Sequence, residues 1–210
     1  MSTTHNRDQR VGVFVDVQNL YHSAKHLYNA RVNFAQLLTS LVGPRKLIRA
    51  VAYVVKSDQM LEGVRLENNN APTRVGRGAS VASGTAEGRH LSPEAAFFDA
   101  LEKSGMELRV KDLQIFPGGA KKADWDVGLA VDAIRMASFL DVIILVTGDG
   151  DFVPLVEYLK WGLGRQVEVA SFSRSTSSRL RESADVYINL EDDPSFLLRS
   201  RPSRARAHKR

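Results

Sequence analysis

Aspartates stand where strand-like segments of the chain end. Asp16 closes VGVFVDV, Asp149 and Asp151 follow VIILVTG, and Asp126 follows a loop in KKADWDV. The carboxyl ends of parallel strands open into one crevice of an α/β sheet. Clustered carboxylates there need compensation, because an unpaired buried charge is costly. A hard divalent cation, Mg²⁺ or Mn²⁺, suits oxygen ligands. The pattern therefore predicts metal-assisted hydrolysis of a phosphodiester.

The local spacing supports this prediction but leaves a second interpretation open. Gly148 and Gly150 allow a tight turn that brings Asp149 and Asp151 toward one cation. Asp126 would enter from the start of a helix, whose amino end favours an anionic substrate. Aspartate is also a common helix cap, and Asp151 can cap the helix that follows it. Spacing alone leaves the metal site and simple capping as alternatives.

The elements that would position these residues alternate between strand-like and helix-like segments. This alternation predicts an α/β fold with a mostly parallel sheet and helices on both faces. The most hydrophobic strand, 141–148, should lie centrally beside the first, and strands 106–113 and 186–190 nearer the edges. The predicted strands are 11–17, 47–55, 106–113, 141–148, 166–172 and 186–190, and the predicted helices are 19–30, 34–42, 92–104, 125–138, one following Asp151, and 174–184.

The chain of 210 residues is long enough for one domain with a well-buried core. We predict a flexible N-terminus over 1–10, a single domain over 11–191 and a basic flexible tail over 192–210. Residues 57–91 are rich in glycine, asparagine and arginine and lack periodicity, so we predict a mobile insert there. Whether the insert contacts substrate stays open, and a harmless insertion is the preferred interpretation.

Composition excludes several classes of protein. No apolar run approaches the roughly 18 residues of a membrane span, so we expect no membrane association. The N-terminus is polar and lacks an apolar signal core. The absence of cysteine excludes disulfides, thiolate zinc sites and cysteine nucleophiles. We therefore expect a cytoplasmic protein.

The net charge of +5 is concentrated at the end of the chain. A solvated tail is one interpretation, and an arm that pairs with nucleic-acid phosphates is the other. Lys122, beside Lys121, is a further candidate for a phosphate contact. The tail candidates for RNA contact are Arg199, Arg201, Arg204, Arg206, Lys209 and Arg210.

Two other kinds of residue have a simpler interpretation. His22 and His26 have helical spacing that can bind a transition metal, but a solvated helix face is the preferred reading because no acid accompanies them as in a zinc protease. The spacing of Trp161 favours core or half-core packing. Trp125 stays ambiguous because it lies between two acids.

Four stretches together resemble the NYN domain family, in its LabA-like branch, within the PIN-like nuclease superfamily. The D-x-x-N and T-G-D-x-D motifs in this order are specific, whereas either alone would not be. The resemblance covers about 11–56 and 92–191. The matching stretches are VFVDVQNLY at 13–21, RVKDL at 109–113, KADWDVGLAVDAI at 122–134 and VIILVTGDGDFVPLV at 142–156.

The resemblance implies a three-layer α/β/α fold and metal-dependent cleavage of RNA. It also implies that Asp16, Asp126 and Asp149 bind Mg²⁺ or Mn²⁺, directly or through water, and that Asp151 completes this shell or holds a second ion. The asparagine and the hydroxyl residue of the family correspond to Asn19 and Thr147, which would orient carboxylates or contact the phosphate.

The sequence leaves two other functions open. One is an RNA-binding or regulatory module with little turnover, and the other is a small phosphoester hydrolase. It also leaves open the RNA target, the number of metal ions, a homo-oligomer and a protein partner.

Overall fold

The computed structural model describes residues 6–56, 93–112, 114–115, 121–122 and 124–199. The predicted insert over 57–91 and the basic residues after 200 lie outside the described residues. In chain order the elements are β1 (Arg10–Asp16), α1 (Val17–Tyr28), β2 (Ala30–Val32), α2 (Phe34–Val42), β3 (Lys46–Lys56), α3 (Pro93–Lys103), β4 (Glu107–Asp112), β5 (Gln114–Ile115), β6 (Lys121–Lys122), α4 (Asp126–Met136), β7 (Val142–Val146), α5 (Val153–Glu157), β8 (Gln166–Ser171), α6 (Ser178–Ser183), β9 (Val186–Asn189) and β10 (Leu197–Arg199).

A six-stranded sheet in the order β4–β3–β1–β7–β8–β9 forms the middle layer. Each neighbouring pair in it is parallel. The two central strands, β1 and β7, are continuous apolar runs because both of their faces are buried. The prediction of a parallel sheet with the most hydrophobic strand beside the first is confirmed, and β4 and β9 lie at the edges.

Helices cover both faces of the sheet, because successive side chains of each strand point to opposite faces. Val13 and Val15 pack in the core formed with α1, α2 and α3. Phe14 packs in the core formed with α4, α5 and α6. The three-layer α/β/α architecture is therefore confirmed. Among the described residues, no helix is both long and apolar enough to cross a membrane.

The turn after β7 is capped differently from the prediction. The side chain of Asp149, not that of Asp151, accepts the capping hydrogen bond, from the Asp151 backbone N–H at 3.0 Å. The Phe152 N–H also donates to the Asp149 carbonyl, at 3.4 Å. The prediction of Asp151 as the cap is wrong, and its carboxylate is left exposed.

The segment after β9 packs against the rest of the domain. Phe196 is only 1% exposed and packs against Phe172, with 6.3 Å between the ring centroids. Its carbonyl accepts a hydrogen bond from the Asn33 N–H at 2.7 Å, and β10 pairs antiparallel with β2. Residues 194–199 thus contact the domain through one buried aromatic side chain and a short strand, beyond the boundary predicted at residue 191.

Trp161 does not pack in the core as predicted. α5 continues as one wider turn over Tyr158–Gly162, and this turn leaves Trp161 83% exposed. The apolar side of the segment is formed instead by Leu155, Val156 and Leu159, which are buried against the sheet.

Candidate active site

The topology creates a crevice between β1 and β7. From β1 the chain passes to β3 and β4 on one side, and then returns to β7, β8 and β9 on the other. In open α/β sheets, ligands bind outside the carboxyl ends of the strands at such a reversal. Asp16 is the last residue of β1, and Thr147 follows β7 directly. The predicted acids therefore lie at the ligand-binding edge of the sheet.

Carboxylates of three aspartates converge at this edge. Asp126, Asp149 and Asp151 each offer an oxygen, and these oxygens all lie within 4.8 Å of one another. Asp126 is the first residue of α4, and the other two belong to the turn after β7. Asp16 lies beside them and lines the same cavity, but it does not belong to this group. Three of the four predicted ligands can thus reach one ion.

Asp16 is held firmly by its neighbours. Its Oδ1 accepts a hydrogen bond from the Asn19 N–H at 3.0 Å, which caps α1. Its Oδ2 accepts one from Thr147 Oγ1 at 3.2 Å. Burial nevertheless raises the pKa of the Asp16 carboxyl, although both bonds act to lower it. Each carboxylate oxygen has a second lone pair, so Asp16 keeps acceptor capacity toward the cavity.

Asn19 and Thr147 connect the end of β1 to the turn after β7. Asn19 Oδ1 accepts a hydrogen bond from the Gly148 N–H at 3.0 Å. Thr147 Oγ1 accepts one from the Asp149 N–H at 3.2 Å while it donates to Asp16. These bonds fix the backbone that carries Asp149 relative to Asp16.

The position of Gly148 has no room for a side chain. A Cβ there would lie 2.5 Å from the Ser175 carbonyl oxygen. The Gly148 carbonyl also accepts a hydrogen bond from the Ser177 N–H at 2.9 Å. The turn that carries Asp149 therefore rests on the segment after β8, and this contact requires glycine.

The acids of the site repel one another. Burial, followed by the charges of Asp124, Asp16, Asp149 and Asp151, raises the pKa of Asp126 from 3.8 to about 6. The ion pairs of Arg10, Lys103 and Arg109 are formed with acids outside this group, namely Asp141, Asp99 and Asp132. A set of oxygen donors with excess negative charge fits Mg²⁺ or Mn²⁺ and would be stabilised by either.

A cavity of about 320 Å³ opens beside these carboxylates. It contains residues that the sequence did not assign to the site, and Asp124 is the main one, since its charge is the largest electrostatic contribution to the raised pKa of Asp126. His22, predicted on a solvated face, lines the cavity because it lies one helical turn after Asn19. The other lining residues are Gln18, Ser23, Tyr53, Val55, Trp125 and Ser175.

The structure does not bring Arg199 to the acids. The backbone of Arg199 pairs with Ala30, which follows the far end of α1. The 12 residues of α1 separate Ala30 from Asp16 by about 18 Å along the helix axis. Lys122 lies in β6, two residues before Asp124. The tail residues Arg201, Arg204, Arg206, Lys209 and Arg210 lie outside the described ranges.

Comparison with known proteins gives consistent matches. The NYN domain matches residues 10–191. A curated relative, low amplitude and bright protein LabA from Synechococcus elongatus, is 30% identical over 110 residues, which are 50% of this chain and 59% of LabA. The chain thus matches less than two thirds of the length of that relative. The crystal structure of a protein of unknown function from Vibrio parahaemolyticus superposes with a TM-score of 0.69 at 28% identity, covering 93% of this chain and 100% of that one.

The family match extends over most of the chain, including every strand of the central sheet and all four aspartates. The chain therefore belongs to the NYN domain family, and its similarity to LabA places it in the LabA-like branch.

Proposed function

We propose that this protein is a divalent-metal-dependent ribonuclease that hydrolyses RNA phosphodiester bonds. The observation that carries the proposal is the convergence of Asp126, Asp149 and Asp151 within 4.8 Å at the reversal point of the sheet. Membership in the NYN family supports RNA as the substrate and a nuclease reaction as the chemistry. Helix capping is the alternative role for these aspartates. It accounts for Asp16 and Asp149, whose side chains accept capping hydrogen bonds, but not for Asp126.

Asp126, Asp149 and Asp151 would hold Mg²⁺ or Mn²⁺, with Asp16 beside them. Such an ion supplies a water of lowered pKa and stabilises charge that develops on the phosphate oxygens. Asp151 is the most exposed of the three and is free to complete the ligand set or to hold a second ion. Asp149 Oδ1 accepts a hydrogen bond from the Asp151 N–H. Its second carboxylate oxygen, Oδ2, would then be the metal ligand.

The remaining residues position the acids and the substrate. Asn19 and Thr147 fix the separation of β1 from the turn after β7. Asp126 begins α4, so the free N–H groups of that helix end lie beside the site and favour a phosphate. Because the acids alone would repel RNA, their charge must be neutralised before the phosphate approaches. The protein should therefore be inactive without a divalent cation.

The basic residues of the C-terminal tail provide a second, sequence-independent contact in this proposal. Arg201, Arg204, Arg206, Lys209 and Arg210 would pair with RNA phosphates and strengthen binding without selecting sequence.

Lys122 lies close to the acids along the chain and would pair with the scissile phosphate or a phosphate beside it. The absence of cysteine suits the reducing cytoplasm, which we propose as the compartment.

The decisive experiment is RNA cleavage in Mn²⁺, Mg²⁺ or EDTA with the wild type, Asp149→Asn and Asp99→Asn. Asp99 is a matched control, since it pairs with Lys103 on the exposed face of α3. The proposal requires metal-dependent cleavage that is lost in Asp149→Asn and kept in Asp99→Asn. RNA binding without cleavage would favour a binding module. Hydrolysis of p-nitrophenyl phosphate but not RNA would indicate a small phosphoester hydrolase.

A further inference from the structure

We propose that the cavity beside the acids is a subsite for one unpaired nucleobase, with Trp125 as its stacking surface. This inference rests on the proposed function, since the base would belong to the RNA whose phosphate meets the acids. Two chemically different groups of residues line the cavity: the carboxylates of Asp16, Asp126 and Asp149, and the aromatic residues Tyr53 and Trp125. An RNA nucleotide has the same division between its phosphate and its base.

The indole of Trp125 is held in place before any ligand arrives. Its Nε1 donates to the Val54 carbonyl at 2.9 Å, and its ring packs against Tyr53, with 5.6 Å between centroids and 60° between planes. Gly128 lets the ring lie close to α4, because a Cβ at that position would be 2.5 Å from Trp125 Cε3. A ring fixed in this way loses little conformational entropy when a base stacks on it.

The polar groups of Trp125 and Tyr53 are already used within the protein. The Trp125 N–H is bound to Val54, and Tyr53 OH donates to Asp132 Oδ2 at 3.1 Å. Lys111 Nζ lies 5.6 Å from the Trp125 ring centroid and donates to the Asp124 carbonyl. Lys111 thus lies over one face of the indole. The aromatic surface that Trp125 and Tyr53 contribute to the cavity therefore offers π contacts rather than hydrogen bonds. Such a surface holds a flat aromatic group with little preference among bases.

Polar side chains for the edge of the base come from α1. Gln18 and His22, which lie one helical turn apart, line the cavity together with Ser23, the residue after His22. The His22 ring is already oriented, since it stacks on His26 with 6.0 Å between centroids and 18° between planes. Contacts to base edges determine which base of an unpaired RNA strand is preferred. We therefore assign base preference to this helix face.

The dimensions of the cavity limit the substrate. Its volume of about 320 Å³ lies at the lower end of the roughly 300–1,000 Å³ found for small-ligand pockets, so it has room for one nucleotide and not for a base pair. A base within a duplex would first have to leave the stack. Trp125 also lies between Asp124 and Asp126 along the chain, so the base that it stacks must adjoin the phosphate at the acids.

The test combines substrates that lack one base with substitution of the tryptophan. A single-stranded oligoribonucleotide with a defined cleavage position is compared with a series in which successive nucleotides are abasic. In wild type, one abasic position next to the cleaved phosphate should slow cleavage by roughly five- to 150-fold, the range for loss of one base–aromatic stack. In Trp125→Ala this penalty should disappear, because the base no longer has a stacking partner.

Trp161→Ala is the matched control, since Trp161 is the second tryptophan of the chain and is 83% exposed. It should keep the full abasic penalty. Trp125→Phe guards against misfolding, since it preserves an aromatic ring at the same place and should retain most of the penalty. No penalty at any position in wild type would overturn the subsite, as would an equal penalty in Trp125→Ala.

A binding measurement separates failure of the subsite from failure of the proposed function. In Trp161→Phe, Trp125 is the remaining tryptophan, and its fluorescence in Ca²⁺ should be quenched by the single-stranded oligonucleotide and much less by a blunt duplex. Quenching in Ca²⁺ without cleavage in Mn²⁺ would support the proposed base subsite and contradict the proposed nuclease function. Cleavage without quenching would keep the nuclease and reject the subsite.

Discussion

The Gly148 backbone N–H donates to the side-chain oxygen of Asn19 at 3.0 Å, and this bond fastens the turn after β7 to the first turn of α1. The same turn carries Asp149, and the same part of α1 is capped by Asp16. The Asn19 amide, which need not touch a metal ion, thus helps Thr147 to fix the separation of two acids from different strands.

Replacing Asn19 should therefore weaken metal binding without removing a ligand. In Asn19→Ala the Gly148 N–H loses its partner, which should cost about 1–3 kcal/mol of stability. Loss of a group that orients ligands typically lowers metal affinity by about 10- to 100-fold. Mn²⁺ titration by calorimetry and urea denaturation would measure the two effects, with Gln18→Ala as the control from the same helical turn. Unchanged Mn²⁺ affinity in a destabilised variant would restrict Asn19 to a folding role.

The central part of the fold could be predicted from local sequence signals. β1 and β7 are apolar runs that end in a polar turn, and strands of this type belong at the middle of a parallel sheet. The carboxyl ends of such strands share one edge, so the proximity of Asp16 and Asp149 followed directly. The bounds of α2 were also predicted correctly, from a regular apolar stripe over residues 34–42.

Other features depend on contacts that no local pattern reveals. Asp124 resembles an ordinary loop acid. Burial, the largest cause of the raised pKa of Asp126, arises from packing that the sequence does not reveal, and the charge of Asp124 adds to it. Trp161 has core-like spacing, but a widened helical turn directs it to solvent. The buried pair of Arg45 and Glu168 joins residues 123 positions apart. In each case tertiary packing overrode or completed the local signal.

The pair formed by Arg45 and Glu168 should be the most sensitive charged contact outside the site. Both side chains are 0% exposed, and Arg45 Nη1 lies 2.6 Å from Glu168 Oε1. Glu168→Gln leaves a buried guanidinium without its counter-charge, so we expect a loss of about 3–5 kcal/mol in the free energy of unfolding.

The control for this substitution is Glu107→Gln, since Glu107 forms an exposed pair with Arg49 in which each side chain is 42% exposed. Its effect should be below about 1 kcal/mol. Urea denaturation of both variants measures the difference. The double variant Arg45→Met/Glu168→Leu should recover most of the loss, because it removes both charges. Equal losses in Glu168→Gln and Glu107→Gln would contradict a buried charge pair.

The raised pKa of Asp126 predicts how stability depends on pH when no metal is present. Its folded-state pKa is about 6, above the ordinary value of 3.8. The unfolded chain therefore loses this proton more readily, and ionisation of Asp126 destabilises the fold. The penalty is absent below pH 3.8, grows as the pH rises and is complete above about pH 6.

The Asp126→Asn variant has no carboxyl group to ionise at this position. Comparing its stability with that of wild type should therefore reveal the cost of ionising Asp126. In EDTA the variant should match wild type near pH 4 and become more stable than wild type between pH 4 and 6, with a constant difference at higher pH. Thermal denaturation across this range measures the difference. Added Mn²⁺ at pH 7.5 should stabilise wild type and not the variant. A difference that is independent of pH would mean that Asp126 ionises normally.

Substitutions at Gly148 and Gly150 test how closely the turn after β7 must pack against the segment after β8. A Cβ at residue 148 would lie 2.5 Å from a backbone carbonyl, that of Ser175, whereas a Cβ at residue 150 would lie 2.8 Å from the side-chain oxygen of Ser177. The backbone cannot yield without moving the turn, but a serine side chain can rotate. We therefore expect Gly148→Ala to lose about 1–3 kcal/mol of stability together with Mn²⁺ affinity, and Gly150→Ala to lose less of each. Similar effects of the two substitutions would show that the turn adapts to a side chain at either position. The hydrogen bonds of Asn19 and Thr147 would then be sufficient to position Asp149.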